Sequence, residues 1–298
     1  MKAHRKWTKK ISEKSLKLDP ELLDDTDINQ VPVTPFLEEF QGHGKRLCCV
    51  GVSHAIGKNN SAIQKAFQAV NPQIAIVEGI PYEFGISPYE YAISLDEHTG
   101  NASEIAKVGV KKAYAERAYT IHCTKERNIP FRGVEPSHSE VFADMRKLGY
   151  TDKDMMAFSL LRRIVSMRER AELTAENFEQ KATNYLQAGW QFPPSIPKND
   201  RLTLDEFKAW YEEHNQTGKS FIDIDWADMN TPTAPAKAHF FQKMMADTVR
   251  IRDKYSVRNI EKILKENDRV LVVYGWKHIQ DYRPVFKQGF SNEYAKAR

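Results

Sequence analysis

Short unbroken apolar runs alternate along this chain with longer segments whose apolar positions recur every three to four residues. The unbroken kind reads as buried strands: LCCVGV at 47–52, IAIV at 74–77, FRGVE at 131–135 and RVLVVY at 269–274. Between the first two, Ile63, Ala66, Phe67 and Val70 keep helical spacing, and Asn71 and Pro72 end the run. Residues 47–81 therefore predict a β-α-β unit, its strands parallel and its crossover right-handed. Helical periodicity continues from Ser103 to about Asn128. It returns over 150–186, where Met156, Leu160, Ile164 and Met167 form a core-facing stripe, and again over 204–214 and 237–267. Residues 31–40, with Pro32 and Pro35, predict a turn and a short helix, and 41–45 a loop feeding the first strand, with His43 a solvated loop residue. The fold class expected is α/β, a mostly parallel central sheet flanked by helices with a helical insertion in the middle of the chain. The expected divisions are a leader over 1–40, a core over 41–149 and 236–298, and the insertion over 150–235.

Composition narrows the classes open to such a fold. At 298 residues, with 41% hydrophobic and 28% charged residues, the chain can bury a substantial core as one large or two smaller domains. The net charge of +4 is slight, and much of the excess sits in the segment 2–10, read as a solvated tail. No basic face calls for nucleic acid. No apolar stretch approaches the roughly 18 residues of a membrane span, and the basic start does not lead into an export signal. Cys48 and Cys49 are adjacent in an expected strand, so they point to opposite faces and cannot readily pair; with Cys123 they make a sparse set typical of a reducing compartment. The expected setting is cytoplasmic, with a small-molecule or peptide substrate as partner.

The chemistry gathers at the strand ends. With 14 glycines and 9 histidines, chance gives about 0.4 Gly-x-x-His matches in the chain. Two occur, Gly51/His54 and Gly275/His278, and each follows an expected buried strand. Glycine lets the chain leave a strand through dihedrals closed to other residues and turn the histidine over the carboxyl edge, where open α/β sheets bind ligands. Glu78 and Glu135 end two further runs, so His54, Glu78, Glu135 and His278 are expected to converge. Two imidazoles and one or two carboxylates suit Zn²⁺, Mn²⁺, Co²⁺ or Fe²⁺; without a metal, a histidine oriented by a glutamate still serves as a general base. Arg252, on the helix before the last strand, is read either as an oxyanion or carboxylate contact or as a surface ion pair. Tyr82, Trp276 and Tyr282 are candidate pocket walls. The acid-rich loop 223–235 lacks the pattern of an EF-hand. No serine elbow, phosphate-binding glycine loop or CxxC pair is present.

The segments GVSH, QIAIVEG, FRGVE, RIRDKYSVRNI and RVLVVYGWKH together resemble the Tiki/TraB, erythromycin-esterase-like and ChaN-like superfamily, whose pattern is two Gly-x-x-His motifs with a strand-end glutamate between them. The matching positions are Gly51, His54, Glu78, Glu135, Arg252, Asp253, Gly275 and His278; residues 150–235 match nothing. The resemblance implies a parallel α/β core with a helical insertion. The activities it implies diverge: metal-dependent peptide hydrolysis, ester hydrolysis or haem binding. The leading expectation is a soluble hydrolase cleaving a peptide or ester bond. Its divalent metal is held by His54, Glu78 and His278, with Glu135 as a further ligand or base and Arg252 steadying negative charge. The alternatives are a metal-free esterase using His54 and Glu78, or a non-catalytic protein binding haem or another small ligand near the aromatic segment 82–91.

Overall fold

The architecture is taken from a computed structural model, which describes residues 16–23, 32–54, 58–80, 116–189, 192–230 and 237–291. The basic segment 2–10, the helix start at Ser103 and the aromatic segment 82–91, with Tyr82, lie outside the described residues. The fold class is α/β, as the pattern of runs predicts. By contact the chain divides into two compact units. One comprises Met1–Ile80, Phe84–Val134 and Val257–Arg298; the other comprises Pro81–Glu83 and Glu135–Ser256.

The first unit is built on a five-stranded sheet. Its strands are β1 (Phe36–Gly42), β2 (Lys45–Val52), β3 (Ile74–Val77), β4 (Phe131–Arg132) and β5 (Arg269–Gly275), in the order β1-β2-β5-β3-β4. β1 is antiparallel to β2, and the other pairings are parallel. The central strand is thus β5, the last in sequence and apolar along nearly its whole length, which suits a strand covered on both faces. β5 separates β2 from β3, so the strands preceding His54 and Glu78 are not neighbours: the last of the four sequence runs is inserted between them.

Helices α1 (Asn60–Val70) and α2 (Glu116–Glu126) cover one face. Ile63, Ala66, Phe67, Val70, Tyr119 and Cys123 pack there against Cys48, Val50, Ala75, Leu271 and Val273. The long segment α9 (Trp276–Ser291) leaves β5 without a loop and packs on β1, β2 and β5, its Phe286 and Phe290 meeting Phe40. Cys48, Cys49 and Cys123 are buried and unpaired. Burial pushes the Cys48 thiol up to about 12 and Cys49 well above its ordinary range, so neither presents a thiolate.

Three expectations about elements are corrected. Residues 36–42 form an edge strand rather than a helix: FLEEFQG alternates exposed and inward positions, and His43 and Gly44, both at positive φ, make the two-residue hairpin turn into β2. The helical stretch over 150–186 is two helices, α4 (Asp152–Glu169) and α5 (Phe178–Ala188), broken where Ala171 takes a positive φ. The run FRGVE is a strand over Phe131–Arg132 alone, with Glu135 three residues beyond it.

The second unit is helical. It contains α3 (His138–Lys147), α4, α5, α6 (Leu204–His214), α7 (Trp226–Met229) and the first part of α8 (Phe240–Glu266). Met156, Leu160, Ile164 and Met167 face its core with Phe207, Trp210, Tyr211 and Phe241. Ser137, Thr151, Thr203 and Asp225 cap α3, α4, α6 and α7, each in a reciprocal capping box with an acid three residues on. The acid-rich segment after Ile222 contributes such a cap. Among the described residues no helix is long and apolar enough to cross a membrane.

Candidate active site

Three of the expected residues meet at the carboxyl edge of the sheet in the first unit. His54 follows β2, Glu78 follows β3, and His278 stands in the first turn of α9 after β5. One carboxylate oxygen, Glu78 Oε1, lies 3.8 Å from His54 Nε2 and 3.7 Å from His278 Nε2. The other oxygen, Oε2, accepts the Gly275 backbone N–H at 2.5 Å. The central strand therefore holds the carboxylate by its last amide and aims the remaining oxygen between two imidazoles.

Gly275 has a reason of its own, different from the one the sequence implied. Neither Gly51 nor Gly275 is among the residues with positive φ, and each lies at or near the end of a strand. What they lack is bulk. A Cβ on Gly275 would stand 3.1 Å from His54 Nε2 and 3.2 Å from Glu78 Oε2, and one on Gly51 would enter the Phe36 ring. Beside the site a positive φ falls instead on Gly79, directly after Glu78, where the Arg117 guanidinium occupies the space a Cβ would fill.

The sequence reading missed two residues, adjacent at the start of α2. Glu116 Oε1 lies 2.6 Å from His54 Nδ1, and Arg117 Nε donates to the Glu78 carbonyl at 2.7 Å. Glu116 is buried, and its second oxygen has no hydrogen-bond partner among the described residues. A signal existed: Glu116 occupies the first position of a buried stripe continued by Tyr119, Thr120 and Cys123, where a carboxylate is out of place without a task. The bond to Glu116 fixes Nδ1 of the neutral ring as the protonated nitrogen and leaves Nε2 its lone pair. It also raises the His54 pKa, against the opposing effect of burial and with help from the Glu78 charge.

His278 is the less exposed of the two histidines, its side chain retaining 15% accessibility against 59% for His54. Tyr274 and Tyr282 flank its ring at centroid distances of 5.9 and 6.1 Å. Tyr282 is fully buried and packs against the imidazole from within the unit. Trp276 is partly exposed at the first position of α9.

Glu135 and Arg252 belong to the other unit and meet each other. Arg252 donates to Glu135 Oε2 from Nε at 3.1 Å and Nη2 at 2.7 Å. Arg252 is thus an ion-pair partner of Glu135.

No family model matches this chain, and no curated protein matches its sequence.

The side chains at the sheet edge, two imidazoles and a carboxylate, are of the types that bind divalent cations. Two ligands at about 2.1 Å from one ion can stand up to about 4.2 Å apart, and about 3.4 Å in tetrahedral geometry. The two nitrogen–oxygen spacings fall inside that limit and need about 0.3–0.4 Å of closure to reach the tetrahedral value. As they stand, no group of three or more His, Cys, Asp or Glu side chains among the described residues is spaced to hold a metal ion. Glu116 behind His54 is the outer carboxylate that metal-binding histidines commonly bond.

Proposed function

We propose that this protein is a hydrolase of peptide or ester bonds whose site is the His54–Glu78–His278 triangle, with a divalent cation as its cofactor. The observation that carries the reading is the placement of a single carboxylate oxygen between two imidazole Nε2 atoms, its partner oxygen tied to the Gly275 amide. His54, His278 and Glu78 would hold the ion, and Glu116 would keep His54 in the tautomer that offers Nε2. The ion would supply Lewis acidity, making water acidic near neutral pH and polarising a substrate carbonyl. Glu135 takes no chemical part in this reading. Its charge is engaged by Arg252, and the pair serves the helical unit. Buried free thiols fit a reducing, intracellular setting, which we include in the proposal. The likeness of the two Gly-x-x-His segments to the Tiki/TraB and erythromycin-esterase-like superfamily points the same way.

The 2.6 Å bond from His54 to Glu116 favours a second reading without metal. His54 Nε2 would then take a proton from water attacking an ester carbonyl, and Glu116 would steady the imidazolium. Glu116 replaces Glu78 here, because Glu78 stands 3.8 Å from the ring.

Both readings are tested by assaying a panel of peptides and esters with the protein as purified, after exhaustive chelation, and after return of Mn²⁺, Co²⁺, Zn²⁺ or Fe²⁺. The cation reading expects hydrolysis lost on chelation and restored by at least one ion. Hydrolysis surviving in metal-free protein would replace it with the His54–Glu116 dyad. Cleavage of no member of either class under any of these conditions contradicts the hydrolase assignment.

A further inference from the structure

The sheet edge also holds a cation that the hydrolase reading does not use. Arg117 stands at the second position of α2, beside Glu116, and is partly buried. Its Nε donates to the Glu78 carbonyl at 2.7 Å, which fastens it to the backbone of the residue whose carboxylate stands between the two imidazoles. Its seat is made by Gly79. That residue takes a φ of 77°, and a Cβ there would enter the guanidinium, 2.9 Å from Cζ.

The carboxylates beside Arg117 answer other groups. Glu116 Oε1 lies 2.6 Å from His54 Nδ1, and Glu78 places Oε2 on the Gly275 amide. No ion pair, and no hydrogen bond other than the one to the Glu78 carbonyl, reaches Arg117 among the described residues. A guanidinium presents two forks, one from Nε with an Nη and one from its two Nη atoms. The Glu78 carbonyl takes the Nε–H, so the outer edge, Nη1 with Nη2, is the fork that remains. That edge matches the two oxygens of a carboxylate. Its charge is felt at His54, where it opposes the raised pKa set chiefly by the bond to Glu116.

Glu78 also fixes the reach. Its carbonyl and its carboxylate belong to one residue, so ordinary bond lengths keep Arg117 Nε within about 10 Å of Glu78 Oε1. At about 3.3–3.6 Å per extended residue, a carboxylate on the outer fork lies within about three residues of a bond held at the imidazoles.

We propose that Arg117 is a specificity residue that binds a substrate carboxylate, so that the substrates are peptides or esters with a free carboxylate close to the scissile bond. The identity of the bond cleaved rests on the hydrolase reading; the carboxylate contact is measured without turnover.

The probes are N-acetyl-alanyl-alanine and its C-terminal amide, titrated by calorimetry into the full chain as purified and after chelation, at fixed ionic strength. The free acid is expected to bind saturably in both preparations, at least about tenfold more tightly than the amide. Arg117→Gln removes the charge and Arg117→Lys removes the fork, and each is expected to erase most of that preference while leaving the amide unaffected. Lys65→Gln, which removes an exposed charge from α1, is expected to keep the preference. No saturable binding of the acid, equal binding of acid and amide, or a preference unchanged in either Arg117 variant overturns the proposal. Acid binding that vanishes on chelation also overturns it, by assigning the carboxylate to the cation. Assay of the same pair for cleavage separates the two claims: an acid bound through Arg117 but cleaved by no preparation counts against the hydrolase reading and leaves the carboxylate contact standing.

Discussion

Gly275 sets the spacing of the sheet-edge site, because its amide holds one oxygen of Glu78 and its missing side chain admits the His54 ring. Gly275→Ala would push a methyl to 3.1 Å from His54 Nε2 and 3.2 Å from Glu78 Oε2. The expected result is about tenfold weaker cation binding, as for loss of other second-layer groups, read by competition with a chromogenic chelator, while the thermal midpoint moves little. Glu116 tunes the same ring. A raised folded-state pKa at His54 means that the protonated ring stabilises the metal-free fold below its ordinary pKa, and that contribution is lost as pH rises through the raised value. Cation binding has the opposite sign, since it needs the neutral ring, so affinity should climb over that interval. Glu116→Gln removes the first cause of the raised pKa, so the midpoint of the affinity–pH curve should fall. A midpoint unmoved in that variant would show that Glu116 does not control the ring. At this scale the sequence displayed the histidines and Glu78, because each follows its strand at once. Glu116 was hidden, because its partner is 62 residues away and its stripe otherwise looks like ordinary packing.

Among the elements, the buried strands were legible and the half-exposed one was not. β2 and β5 are continuous apolar runs, and a strand covered on both faces leaves no other reading. β1 carries Glu38 and Glu39 behind two prolines, so its alternation resembles a short amphipathic helix; the hairpin turn at His43 and Gly44 decides the matter. Gly51→Ala tests that strand, since the new methyl would enter the Phe36 ring across the β1–β2 ladder. It should destabilise the fold by about 1–3 kcal/mol, as overpacking does, measured by chemical denaturation. The break between α4 and α5 escaped notice because charged residues continue through it without a proline. The Arg252–Glu135 pair belongs to this scale too. Arg252→Ala leaves a largely buried carboxylate without its two guanidinium bonds and should cost about 1–3 kcal/mol. Cation binding at the sheet edge should be unchanged in that variant; loss of the ion on mutation would return Glu135 and Arg252 to the site.

For the molecule as a whole, the parallel sheet is what brings remote residues together. Glu78 and His278 are 200 positions apart in the chain, and β5 entering between β2 and β3 puts the imidazole nearest Glu78 in the helical turn that follows the strand made last. The α/β class and the helical middle could be read from the order of runs; the strand order could not, since nothing in RVLVVY says which neighbours it will pair with. The division into units also lay beyond the pattern, because the boundary at Ser256 falls inside the single helix α8. His54, Glu78 and His278 are proposed to bind one divalent ion together. Elemental analysis of the protein purified without chelator, beside His54→Ala, Glu78→Ala and His278→Ala, tests it most directly. About one divalent ion per chain is expected in the parent protein, and its loss in all three variants. Metal content unchanged by those substitutions, or no ion taken up by the folded parent protein even when one is supplied, would contradict it.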